Sequence, residues 1–552
     1  MQEAVSSERS TKEWQRSAWL APVVLALLAL AMRWQQLDDV ARFDELYHVF
    51  AARGWLESGE LRVAEGAYDR ASLFTLLVAA ALALLGDSLE VARLVSVLAG
   101  VALVVLVFLW TRAVAGAGAA WVAALLLCFW PDAIRLSQLA RFYTLHGLAF
   151  WLGAIGTYRL FTRPAGGVEL GLLAAGTLGA FALALHLQPV TLIGVLGIGT
   201  WIALARVLPW LTASLPAPRR WLIGGAAVAL GGLAGLLVLQ TTPGAALLAQ
   251  YRATPLWMAE LSAPVWFYHL ELLQDFPTLW SLTGLAVLVG LASRPQPTAF
   301  CACVFAVAFV ALSFAGPKGP RFAYHVLPFL FVLWGIALAG IWPRLWGFVE
   351  EAARRARAWL GLDWAGRWGT YAILGLVLAQ AVLANGTSIK SAAELLGVDL
   401  LPDPARAWAS VRPQLEPWLD ATVVVTTSEL PALYYLGRHD LLVSRSRLEE
   451  LQVAEFGLDR RTGRPVISTA RSLELVMDCY PDGLIVTSAG AWRDPADLDA
   501  ATADLITTRA TPLALEDDRM LAFAWQRPPD APRPAACPPL PTVASDGSAA
   551  AD

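Results

Sequence analysis

Arg42-Phe43-Asp44-Glu45-Leu46-Tyr47-His48 lies just past the first apolar segment of the chain, where the polypeptide leaves the membrane. Two adjacent carboxylates at a membrane surface are costly to hold together unless something uses them. On a helix, Asp44 and His48 share a face, while Glu45 points about 100° away from Asp44. One carboxylate is then available for proton transfer and the second for a metal, a cation or a substrate hydroxyl. The plainer reading is an acidic turn capping an interfacial helix, and the rest of the chain decides between the two.

The 552 residues are 57% hydrophobic and only 16% charged, with a mean hydropathy of +0.55. Those values belong to a polytopic membrane protein rather than a soluble enzyme. A net charge of -4 with no basic, aromatic-interleaved cluster excludes nucleic acid as a partner. Twenty-four tryptophans suit long membrane–water boundaries, where indole rings settle. The cysteines show no zinc spacing, and Cys301 and Cys303 lie in an apolar run as packing residues. With Cys128 also in an apolar segment, Cys479 and Cys537 are the two left for the exported part. An oxidising compartment permits them to pair.

Residues 1–17 are polar and read as a cytoplasmic N-terminus. The first apolar segment, from about Ala18 to Met32, reads as a retained span although its Ala29-Leu30-Ala31 end resembles a peptidase site. Further apolar segments follow at 71–86, 92–112, 117–131, 142–161, 168–186, 188–207, 221–240, 276–293, 298–315, 322–342 and 370–386. The membrane domain is thus 18–389, with an outer loop at 35–70 carrying Asp44-Glu45. Arginines in the links 159–168, 208–220 and 343–369 place those links in the cytoplasm. Counting outward puts 131–141, 241–275, 316–321 and the C-terminal part outside. Two of the segments 71–86, 92–112 and 117–131 must cross, and 71–86 is expected as a juxtamembrane helix, which leaves about eleven spans.

Residues 390–527 alternate strand-like runs (422–427, 441–444, 484–488, 520–525) with helical stretches (404–418, 429–436, 470–479, 495–507), the pattern of an extracytoplasmic α/β domain. No glycine-rich phosphate loop follows any strand. The Pro- and Ala-rich tail 528–552 is expected to be disordered.

Arg135, Arg141, Lys318 and Arg321 lie on outer links against the positive-inside bias. They are candidates to bind an anion, the plain alternative being snorkelling to headgroups. An outward carboxylate pair, cations on two other outer links and an embedded body together suggest a reaction on a lipid-borne phosphate. The leaving phosphate needs positive charge from arginine or a divalent metal ion, and the acceptor needs a base. Tyr143 follows Arg141 closely, His186 ends a span on the outer side, His269 lies in the 241–275 loop, and Tyr324 follows Arg321. Each is a further candidate to line the site.

Three stretches carry a family resemblance. These are Asp44-Glu45 after the first span; Leu85-Gly86-Asp87-Ser88 through Ala92-Arg93-Leu94 and Trp130-Pro131 to Leu136-Ser137-Gln138-Leu139-Ala140-Arg141; and Arg321-Phe322 followed by Pro328. In these the chain resembles GT-C fold membrane glycosyltransferases of the protein O-mannosyltransferase and lipid A aminoarabinose transferase type (glycosyltransferase family 39-like). The likeness covers residues 20–340 as a pattern and the C-terminal domain by position only.

The resemblance implies a mainly α polytopic fold with Asp44 as the catalytic carboxylate. It also implies Glu45 in substrate or metal contact and Arg321 on the donor phosphate. Its implied partners are a polyprenyl-phosphate sugar donor, a lipid, glycan or protein acceptor, and membrane lipid. The implied location is a bacterial-type plasma membrane, with the site and C-terminal domain on the extracytoplasmic side. Two departures stand out. Many relatives have an acid shortly after the position of Arg141, where this chain has Phe142, Tyr143 and Thr144. Relatives also often have a proline pair where this chain reads Tyr68-Asp69-Arg70. A transporter with an external binding domain, or a non-enzymatic scaffold, is the competing class; no second copy of the Asp-Glu stretch supports an inverted repeat.

Overall fold

The computed structural model describes residues 20–211 (except 165), 263–360 and 404–540, with isolated positions between 212 and 262. Among these residues five helices are long and apolar enough to cross a membrane: Leu89–Ala115, Gly167–Leu187, Thr191–Trp210, Pro295–Phe314 and Leu327–Phe348. Shorter apolar helices are Leu20–Trp34, Ser72–Leu85 and Thr283–Ser293. The expected segments 221–240 and 370–386 lie outside the described residues. Tyr143–Thr162 sits where a span was expected but is not among the five. It carries His146, tyrosines and threonines, and most of it is buried inside the bundle, where an apolar surface is not required. The last long helix runs on to Leu360, through the stretch read as a cytoplasmic link.

The first helices are α1 (Leu20–Trp34), α2 (Phe43–Ser58), α3 (Ser72–Leu85) and α4 (Leu89–Ala115). The hairpin β1 (Arg62–Val63) and β2 (Gly66–Ala67) links α2 to α3. Then come α5 (Ala117–Phe129), α6 (Pro131–Ser137) and α7 (Tyr143–Thr162). α3 packs along α2 and is tied to it at both ends. Thr75 Oγ1 meets His48 Nδ1 at 2.8 Å, and Arg53 Nε donates to Asp87 Oδ1 at 2.9 Å.

α5 and α6 meet at a 60° bend. Pro131 has no N–H to donate to Leu127, so the bend leaves carbonyls free. Arg33, fully buried at the end of α1, takes them up. It donates to the carbonyls of Leu127 (3.5 Å), Cys128 (3.4 Å) and Ala29 (3.2 Å), and to Ser137 Oγ (3.0 Å). This bend aims the stretch 138–141 at α2.

The C-terminal domain contains a seven-stranded sheet. In chain order its strands are β3 (Val423–Thr426), β4 (Leu441–Val443), β5 (Phe456–Leu458), β6 (Pro465–Ile467), β7 (Asp482–Ser488), β8 (Thr511–Leu513) and β9 (Met520–Gln526). Their spatial order is β5-β6-β4-β3-β7-β9-β8. The run Val423-Val424-Val425 is apolar throughout because β3 is central, pairs in parallel with β4 and β7, and is covered on both faces. Along β7 the faces alternate: Ile485 packs on the domain's own helices, while Leu484 and Val486 join the core that continues into the membrane domain.

Four of these strands coincide with the expected runs. The other three have three residues each, too short for a period to show. Cys479 and Cys537 form a disulfide with a sequence separation of 58. In the expected disordered tail 528–552, Cys537, Leu540 and Pro538, whose carbonyl accepts from Tyr480 Oη at 2.6 Å, are held to the domain, while 541–552 lie outside the described residues.

Candidate active site

α2 begins at Phe43, so Asp44 and Glu45 fall in its first turn, where the helix dipole favours negative charge. Their neighbouring positions send them to different surroundings. Glu45 is fully buried. Its Oε1 accepts from the Arg42 backbone N–H at 2.9 Å and Arg93 Nη2 at 2.5 Å, and its Oε2 from Arg93 Nε and the Ala140 N–H, both at 2.9 Å. Arg93 also donates to the carbonyls of Leu37, Asp39 and Val40. Glu45, expected to meet substrate or metal, is instead the pin that joins the α2 start to α4 and to the stretch after α6.

Asp44 keeps a side chain 44% exposed. Its Oδ2 lies 3.1 Å from Arg321 Nη1 and 3.6 Å from Arg141 Nη2. Arg141, almost wholly buried, donates to the Asp44 carbonyl at 2.9 Å, Tyr68 Oη at 3.2 Å and Tyr143 Oη at 3.5 Å. Its guanidinium stands over the rings of Phe142 and Tyr143. Arg321 stands over Phe322 and Arg70 over Phe142. The C-terminal domain adds Arg461, which stands over Tyr47 at 5.8 Å. Burial raises the Asp44 pKa, but Arg141, then Arg321, Arg70 and Arg461 outweigh it and hold the carboxyl below its ordinary value. One partly exposed carboxylate thus sits among four arginines.

Arg461 reaches this place because the two domains touch backbone to backbone. Glu65 N–H donates to the Thr462 carbonyl and Ala67 N–H to the Arg460 carbonyl, both at 3.1 Å. A Cβ on Gly66 would meet the Arg461 backbone at 2.4 Å, so only glycine allows the approach. Arg464 holds Glu65 with two nitrogens, and Arg447 and Tyr47 both donate to Glu429.

The other expected site residues lie elsewhere. His48 shares the Asp44 face as the spacing predicts, but it is buried among Tyr68, Phe74 and Phe142. Burial, then Arg141 and Arg70, keeps its pKa well below the ordinary value, so it is neutral. Lys318 is buried, with Nζ on the carbonyls of Ala263 (2.8 Å) and Ala315 (2.6 Å). Tyr324 is fully buried against Trp130. His269 accepts from Trp280 Nε1 at 3.0 Å, and exposed His186 lies 3.3 Å from Ser72 Oγ. The structure therefore gathers Asp44, Arg141, Tyr143 and Arg321, and adds Tyr68, Arg70 and Arg461, which the sequence reading missed. The arginine-rich loop Arg460-Arg461-Thr462-Gly463-Arg464 was the available signal for the last.

Among the described residues no group of three or more His, Cys, Asp or Glu could hold a metal ion. The single open carboxylate faces arginines, which repel a divalent cation. The donor set does not fit a resident metal, and positive charge for a phosphate comes here from guanidinium groups.

No protein-family model matches the chain. No curated protein matches its sequence. Among solved structures, it is similar to ArnT from Cupriavidus metallidurans in the apo state, with a TM-score of 0.59 at 18% identity over 93% of this chain and 98% of that one. The same protein bound to undecaprenyl phosphate gives a TM-score of 0.54, with the same identity and coverage. The oligosaccharyltransferase AglB from Archaeoglobus fulgidus, in complex with an inhibitory peptide and a dolichol-phosphate, gives 0.52 at 14% identity over 87% of this chain and 70% of that one. These neighbours are GT-C fold glycosyltransferases, and the chain has their fold: an integral membrane body with a C-terminal sheet-containing domain.

Proposed function

We propose that this chain is an integral-membrane glycosyltransferase that moves a sugar from a polyprenyl-phosphate donor to a lipid, glycan or protein acceptor on the extracytoplasmic face. The carrying observation is the partly exposed Asp44 carboxylate set among Arg70, Arg141, Arg321 and Arg461. An excess of guanidinium groups is suited to a phosphate that gains charge as its bond to the sugar breaks. The acceptor O–H or N–H attacks the anomeric carbon, and the carbon–oxygen bond to phosphate breaks. The electron pair stays on the departing phosphate oxygen, whose added charge faces the arginines, and the proton of the acceptor passes to Asp44. A bound phosphate also offsets the arginines that depress Asp44, so the carboxylate becomes a better base once the donor is seated. That ionic pocket, and the shared fold with proteins solved bound to undecaprenyl phosphate or dolichol-phosphate, support the reading.

The direct test compares lipid, glycan and protein fractions of a deletion strain and its parent by mass spectrometry. A sugar missing from one fraction, restored by the wild-type gene but not by Asp44→Asn, is the expected result. Identical fractions in both strains would count against glycosyltransfer.

Arg321 allows charge and geometry to be separated in a purified assay. Arg321→Lys keeps the charge but not the two-pronged contact, so donor use should weaken, and Arg321→Ala should nearly abolish it. Because Asp44 is held below its ordinary pKa, the acid limb of kcat/KM for the donor lies below the ordinary carboxylate range. Removing Arg321 as Arg321→Gln lets the Asp44 pKa rise, so the limb should move to higher pH, while Arg321→Lys should hold it closer to wild type. An acid limb unmoved in Arg321→Gln would separate Asp44 from the titration.

A further inference from the structure

A second cleft lies on the other side of α2. By helical period, Phe50 and Arg53 occupy the half of α2 turned away from Asp44. With Arg412, Leu433, Tyr434 and Tyr435 of the C-terminal domain they line a cleft of about 500 Å³. Its lining contains two arginines and, among the described residues, no carboxylate. Arg53 uses Nε on Asp87, and its two terminal nitrogens have no partner among the described residues. Arg412 is exposed and likewise pairs with nothing among them. Phe50 and Tyr434 meet edge to face beside these charges, with Arg53 over the Phe50 ring.

The surroundings fix the depth of the cleft. Trp55 and Leu56, one turn beyond Arg53, are 41% and 47% exposed. Leu84 and Leu85, brought to the same end of α2 by the Arg53–Asp87 contact, are 82% and 64% exposed. In a membrane protein such apolar side chains face acyl chains, with Trp at the boundary. The Arg53 guanidinium beside them then stands at the level of lipid headgroups, where the abundant anion is a phosphodiester, and Arg412 lines the same cleft.

We propose that this cleft binds the headgroup of an anionic membrane phospholipid, whose phosphate is held by Arg53 and Arg412 and whose glycerol rests on Phe50 and Tyr434. The site is separate from the Asp44 pocket and does not depend on the reaction performed there. Bound between α2 and the helix Pro404–Leu415, the lipid couples the C-terminal domain to the membrane surface.

The test uses the full chain, purified and reconstituted in nanodiscs of phosphatidylcholine with phosphatidylglycerol, then released and followed by native mass spectrometry. Wild type should retain one phosphatidylglycerol in preference to phosphatidylcholine. Retention should fall roughly tenfold for each arginine removed, since a charge-assisted hydrogen bond is at stake. The Arg53→Ala/Arg412→Ala double variant tests both, and Arg53→Lys/Arg412→Lys should keep part of the retention. Should the double variant not fold, Arg412→Glu alone decides, because that exposed side chain breaks no contact and its reversed charge should still expel the lipid. Equal phosphatidylglycerol retention in wild type and variant would overturn the proposal. So would equal retention of phosphatidylcholine by wild type, or binding of soluble glycerol phosphate as tight as that of the lipid.

Discussion

Asp44→Asn is expected to lower turnover by roughly a hundredfold or more in a purified, donor-supplied assay, the span attached to loss of a positioned base. The substitution keeps size and hydrogen-bonding capacity while removing the charge that Arg141 and Arg321 face. Donor binding should therefore persist or tighten, because four arginines lose an internal anion that competes with the phosphate. Folding should survive, since the side chain is 44% exposed and its ion pairs are screened by solvent. The measurement is kcat beside donor Kd. Near-normal turnover would remove Asp44 from the chemistry, and a loss of donor binding with unchanged kcat would make it a binding residue only.

Its neighbour is expected to fail for a different reason. Glu45→Gln leaves Arg93 buried without its counter-charge, and breaking one side of a buried ion pair costs about 3–5 kcal/mol. The expected signs are a lowered unfolding temperature and poor recovery in detergent, with activity lost in proportion to folded protein. Arg93→Met should behave similarly. The pair Glu45→Leu with Arg93→Met should recover part of the loss, because no orphan charge remains. Glu45→Gln with a wild-type unfolding midpoint and abolished turnover would return Glu45 to the substrate.

These contrasting outcomes mark what the sequence could carry. Charge bias along the loops put Asp44, Arg141 and Arg321 on one face of the membrane, and the structure brings them within ion-pair distance. The sequence could not show that Glu45 turns to Arg93, because that pairing spans 48 positions and depends on how α2 lies on α4. It could not show Arg461, which joins the pocket only because Gly66 lets separate domains meet. One face of α2 holds both an open rim at Asp44 and a closed aromatic floor at His48, a difference that helical period alone does not carry. For Lys318 the sequence offers an anion ligand or a snorkelling cation and the structure shows neither, because no periodic signal marks an ammonium that caps carbonyls.

Arg33 also sets an order in time. Its guanidinium has no carboxylate among the described residues, and its acceptors at Leu127, Cys128 and Ser137 lie 94 to 104 positions further along the chain. A bare cation is costly in the bilayer core, so on emerging from the ribosome α1 keeps its Arg33 end at the water boundary. It takes its final seat only when the bent pair α5–α6 has been synthesised and offers those carbonyls. The same arrival delivers Ala140 to Glu45 and Arg141 to Asp44. The Asp44 pocket therefore starts to form only once residue 141 has been synthesised, and it is finished only when Arg321 and Arg461 have followed.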